Sequence, residues 1–99
     1  MIAFYRSASI AQGKVASALA FAKEISAHIK DKAGVDVSIA VPIGGNPNRI
    51  AYVSTYPNLA EFEAASTKLV ADADYQKLVA ANAANTIPGS VHDELWRSL

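Results

Sequence analysis

The order in which two residue periods follow one another restricts the fold of this chain more than any single residue does. Ile2, Phe4, Arg6, Ala8 and Ile10 alternate with Ala3, Tyr5, Ser7 and Ser9, a period of two that reads as a strand. From Gln12 to Lys32 the apolar residues Val15, Ala18, Leu19, Ala22, Ile25 and Ile29 recur at spacings of three and four, which predicts a helix with Gly34 as its stop. Val35, Val37, Ile39, Val41 and Ile43 return to period two, and Pro42 marks that strand as an edge or an ending. The cluster Gly44-Gly45-Asn46-Pro47-Asn48 turns the chain into a second alternating run, Arg49 to Tyr56, so the two runs form a hairpin. Asn58 and Glu61 have the spacing of a capping box and open a helix with Leu59, Phe62, Ala65, Leu69 and Ala73 on its apolar stripe. Asp72 or Asp74 caps a further short helix carrying Tyr75, Leu78, Val79 and Asn82 on one face, and Ser90 to Ser98 alternates once more as a closing strand. The order β-α-β-β-α-β predicts an α+β, ferredoxin-like domain, a four-stranded antiparallel sheet with helices on one face.

Ninety-nine residues suffice for one such domain, residues 1–99, and not for a second core. Basic and acidic side chains balance at nine each, so the phosphate-neutralising excess of a nucleic-acid binder is missing. Although Arg49 to Tyr56 loosely resembles the aromatic strand of an RNA-recognition domain, Thr55 stands where a stacking aromatic is needed. No basic run suggests a membrane patch, and no apolar stretch approaches the roughly 20 residues of a bilayer span. The N-terminus has no signal-peptide pattern and cysteine is absent, which together give a cytoplasmic expectation.

Helices on one side leave the other sheet face to water or to a partner. That face would carry Ala3, Tyr5, Ser7, Ala40, Ala51, Val53, Thr55, His92 and Trp96, which are small, aromatic or mildly polar. In a chain that is 52% hydrophobic, such a face predicts a homodimer joined sheet to sheet.

Three groups of residues could carry chemistry. Glu24 and His28 are helical neighbours, either a general base with its orienting carboxylate or a solvated ion pair. His92, Glu94 and Trp96 share one strand face, either an acid–base pair beside an aromatic wall or part of the dimer interface; two ligands do not make a zinc site, so no metal is expected. Tyr52 and Tyr56 point the same way and could bind a phenolic or carboxylate ligand with Arg6 or Arg49 fixing its charge, or could simply pack the core.

The stretch Tyr56-Pro57-Asn58-Leu59-Ala60-Glu61-Phe62-Glu63, with Leu69, Asp74-Tyr75-Gln76-Lys77-Leu78 and the closing Leu95-Trp96-Arg97, resembles the dimeric α/β-barrel superfamily. Within it, the chain is similar to NIPSNAP-type and antibiotic-biosynthesis-monooxygenase-type domains over nearly its whole length. The resemblance implies a homodimer whose sheets pack into a barrel, with a pocket between sheet and helices in each subunit. The haem-degrading branch uses a histidine on the second long helix, and none occurs between Asn58 and Asn85. The resemblance is then consistent with a small-molecule-binding domain without a bound cofactor, and the fold does not settle its activity. Its catalytic version is a cofactor-independent, monooxygenase-like enzyme acting on an aromatic or anionic substrate. There His28 or His92 would be the base, Arg6 or Arg49 the anion partner, and Tyr52 and Trp96 the walls. The alternative is a dimeric ligand-binding or structural protein without catalysis.

Overall fold

A computed structural model describes all of residues 1–99. The elements run β1 (Ile2–Ser9), α1 (Val15–Ala33), β2 (Ser38–Ala40), β3 (Arg49–Tyr56), α2 (Leu59–Ala71), α3 (Ala73–Ala81), a 3-10 turn over Ala83–Asn85, and β4 (His92–Arg97). The strands form one sheet in the order β2-β3-β1-β4, every neighbouring pair antiparallel. This is the ferredoxin-like arrangement, with the second helical segment divided in two.

Register decides which side chains meet. Arg6 stands opposite Tyr52 on one side and Asp93 on the other, and Tyr52 stands opposite Ile39. Side chains alternate across a pleated strand. Ile2, Phe4, Arg6 and Ala8 therefore share a face with Ile50, Tyr52, Ser54, Tyr56, Asp93 and Leu95. The helices cover this face: Ile10 and Ile50 pack with Ala18 and Ala22 of α1, and Ile2 and Tyr56 pack with Ala65 of α2. Ala22 is fully enclosed, because a methyl side chain lets the helix lie close to the strands. The reverse face carries Ala3, Tyr5, Ser7, Ala51, Val53, Thr55, His92, Glu94 and Trp96, and no element of the chain lies over it.

The helix ends follow local chemistry. Gly34 closes α1 in the left-handed conformation, φ 70°, donating its amide to the Lys30 carbonyl. The Asn58 side chain accepts from the Glu61 amide at 2.9 Å, while the return bond expected of a full capping box is not made. Asp72 ends α2 and caps α3, accepting from the amides of Asp74 and Tyr75.

Three strands are shorter than their alternation predicts. The Val35–Ile43 run pairs only over Ser38–Ala40. Pro42 has no amide to donate, and the exposed Val41 and Ile43 lie beyond the paired stretch. The first strand stops at Ser9, and Ile10 makes an isolated bridge to Thr86. The last strand begins at His92, since the Ser90 hydroxyl is tied to the backbone of Ser9 and Ile87. Similarly, α1 starts at Val15 after a turn closed by the Lys14 amide on the Ala11 carbonyl.

Candidate functional site

Ile50 is the one large side chain that is essentially sealed from solvent. Residues of both small core clusters, Ala18, Ile50 and Tyr56, also border an open space. It forms a partly open cavity of about 530 Å³ between sheet and helices, within the range of small-molecule sites. Phe4, Phe21, Ile25, Phe62, Leu69 and Val79 supply apolar walls, and 17 of its 25 lining residues are hydrophobic, which suits an apolar guest.

The two charged groups of the lining, Arg6 and Asp93, stand on one cross-strand row with Tyr52. Arg6 is held by Asp93 through two hydrogen bonds, Nε to Oδ1 at 2.7 Å and Nη2 to Oδ2 at 2.8 Å, the planar fork geometry of a bidentate pair. The guanidinium also lies 5.5 Å from the centre of the Phe4 ring. Hydrogen bonding from Arg6 holds the Asp93 carboxyl below the usual carboxylate range against the opposing effect of burial. Reciprocally, Asp93 pushes the Arg6 guanidinium further up, with a smaller contribution from the Tyr75 phenol. Both groups remain charged through the neutral range, as a pair of zero net charge. Burial raises the Tyr52 phenol, and the nearby Tyr75 adds to the effect. The Tyr52 phenol is thus a neutral hydroxyl group beside a neutralised ion pair. Deeper in the cavity, the Ser54 hydroxyl donates to the Tyr56 hydroxyl at 3.1 Å, and Tyr56 meets Phe62 edge to face at 5.2 Å.

The structure brings Arg6, Tyr52 and Tyr56 together on this cavity and places the other residues singled out above elsewhere. Arg49 sits at the exposed hairpin, where its guanidinium donates to the carbonyls of Asn46 and Gly44. His92, Glu94 and Trp96 share the uncovered sheet face, where Trp96 Nε1 donates to Glu94 Oε1 at 2.8 Å and Glu94 Oε2 lies 3.3 Å from His92 Nε2. His28 lies on α1 outside the cavity lining, and its partner is Asp72 rather than Glu24, at 2.9 Å from Nε2 to Oδ2. The Asp72 carboxylate is already positioned by its capping bonds. Burial tends to raise its carboxyl, but His28 and the two capped amides outweigh that and keep it low. The His28 ring stacks on Tyr75, 6.4 Å between centres, and Tyr75 lines the cavity. No group of three metal-ligating side chains comes together.

Asp93 and Tyr75 are the site residues that sequence reasoning missed. Asp93 sits between His92 and Glu94, and only the register against Arg6 reveals its role. Tyr75 carried a weak signal, its place on the apolar face of the short helix.

A four-stranded ferredoxin-like sheet with a cavity under its helices defines the class, an α+β small-domain scaffold shared by several families. The chain belongs to the NIPSNAP family, whose model matches residues 4–97. Among solved structures it is similar to an uncharacterised NIPSNAP domain protein from Burkholderia xenovorans, at 16% identity and TM-score 0.85, covering 100% of this chain and 95% of that one. It is also similar to a NIPSNAP family protein from Agrobacterium tumefaciens, at 18% identity and TM-score 0.82, covering 99% and 92%. A structure described as an antibiotic biosynthesis monooxygenase has the same fold at 13% identity and TM-score 0.74, covering 100% and 99%. No curated protein gives a significant match. No helix is long and apolar enough to cross a membrane.

Proposed function

We propose that the domain binds a small aromatic molecule, mostly apolar with one polar end, in the cavity between its sheet and helices. The observation that carries this reading is the cavity itself: about 530 Å³ of mainly hydrophobic wall, with its two charged groups and the Tyr52 phenol on the Tyr52–Arg6–Asp93 row. An apolar guest gains from leaving water, and a few fixed polar groups orient it. The domain acts as a homodimer through the uncovered sheet face, where Trp96 is 60% and Tyr5 42% exposed.

The catalytic form of the reading is a cofactor-independent, monooxygenase-like reaction of that molecule. It is supported by the fold shared with the monooxygenase structure. Of the two candidate bases, His28 is nearer the cavity, one stacked ring away through Tyr75. Binding without turnover is the second reading, and the position of both histidines outside the cavity lining favours it.

The test is a titration of isotope-labelled protein with a panel of phenols, naphthols and aromatic acids, read by amide chemical shifts. Binding should move the amides of Phe4, Tyr52 and Leu69. Ser66→Phe, which projects into the cavity from α2, should abolish those shifts. If no member of the panel moves cavity amides, the reading fails. Oxygen consumption by the bound complex then separates enzyme from binder.

A further inference from the structure

We infer that the cavity takes an uncharged ligand, and that Asp93 is the residue that sets this preference. The inference rests on the cavity being a ligand site, and it narrows the ligand to a neutral aromatic molecule carrying a hydroxyl or carbonyl group.

Arg6 is a cation lining the cavity, and alone it would favour an aromatic carboxylate. It is not alone. Asp93 comes from β4 directly opposite Arg6 and takes the guanidinium side-on through Nε and Nη2. That occupies the side-on edge of the guanidinium and leaves only the Nη1–Nη2 end to hold a bidentate carboxylate ligand. An incoming anion must either displace Asp93 or settle beside a second carboxylate, where repulsion from Asp93 cancels most of the attraction of Arg6. The remaining polar groups around the row supply no compensating positive charge. Tyr52 and Tyr75 bring phenol hydroxyls and Asn85 an amide, and no lysine, histidine or second arginine lines the cavity.

A neutral hydroxyl or carbonyl meets the opposite situation. Arg6 Nη1 remains as a donor, the Asp93 oxygens keep lone pairs, and the tyrosine hydroxyls can donate or accept. A polar but uncharged group can therefore exchange its water contacts for protein contacts without confronting an unbalanced charge. Asp93 selects by charge compensation and need not touch the ligand to do so.

The experiment compares β-naphthol with β-naphthoate, probes of the same ring size that are neutral and anionic at neutral pH. Each is titrated into wild type, Asp93→Asn and Arg6→Gln, with dissociation constants taken from cavity amide shifts. Wild type should bind naphthol more tightly than naphthoate. Asp93→Asn keeps the shape of the side chain and removes its charge, so the ratio should move toward naphthoate by roughly five- to tenfold for a half-exposed site. Arg6→Gln leaves Asp93 uncompensated and should move the ratio the other way. Tighter naphthoate binding by wild type, or a ratio unchanged in both variants, overturns the inference while leaving the cavity as a ligand site. Failure of both probes to move cavity amides in wild type counts against the ligand site itself.

Discussion

The Ser54–Tyr56 hydroxyl pair offers a direct measure of how dry the cavity is. Both residues are buried, at 5% and 9% exposure, and Ser54 donates to Tyr56 at 3.1 Å beside the aromatic ring of Phe62. Removing one hydroxyl by Ser54→Ala or Tyr56→Phe loses a hydrogen bond and strands its partner away from water. Each loss of that kind costs about 1–3 kcal/mol, and the partly open cavity places these two toward the lower end, about 1.5 kcal/mol each. Removing both hydroxyls strands nothing, so the double variant should lose no more than about 1.5 kcal/mol rather than twice that, a coupling of at least roughly 1.5 kcal/mol. Urea denaturation at one fixed protomer concentration reads it out. With a slope of about 1 kcal/mol per molar urea for a chain of this size, each single variant should shift the midpoint down by about 1.5 M. Strictly additive single effects, with coupling below about 0.3 kcal/mol, would mean that water reaches both hydroxyls. The cavity would then be wet, and the case for an apolar guest would fail.

Three further outcomes follow from features already described. Asn58→Ala removes the side-chain cap of α2 and should cost about 1 kcal/mol, lowering Tm by roughly 4–8 °C in a thermal melt. Gly34→Ala forces a side chain into the left-handed φ of 70° with open space around the new methyl, so the cost of about 1–2 kcal/mol is conformational and should appear as a lowered urea midpoint. The Asp93 carboxyl is depressed in the folded state by Arg6, so its contribution is complete above the ordinary carboxylate value and is lost as pH falls through the lower folded one. Asp93→Asn should therefore flatten the acid limb of stability against pH, by no more than about 1 kcal/mol since the pair is 43% exposed.

Features fixed by neighbouring residues were legible in the sequence, and features fixed by pairing were not. Arg49 to Tyr56 is bounded by a loop of Gly, Asn and Pro and observed with the same limits. Gly34, Asn58 and either Asp72 or Asp74 announce helix ends through local geometry, and in the structure Gly34, Asn58 and Asp72 take those places. The Val35–Ile43 run has equally clean alternation, yet a strand needs a partner along its length and only three residues find one. His28 shows the same limit at the site. Glu24 is its neighbour on the helix, but pairs at that spacing are worth only about 0.3–0.5 kcal/mol. Asp72, 44 residues away and pre-positioned by its capping bonds, takes the histidine instead. Arg6 and Asp93 are 87 residues apart, and no periodicity in either segment could have announced their pairing.

The two outermost strands also bear on how copies of this protein can meet. One is only three residues long, with a proline two residues beyond its end; the other bears His92, Asp93, Glu94 and Arg97 in six positions. Neither rim offers a long, uncharged ribbon on which another molecule could add a strand, so fibril-like growth by lateral stacking is disfavoured from both sides. The pairing proposed above would use the broad plane between those rims, and face-to-face packing of that plane would give a closed pair and not an open-ended chain.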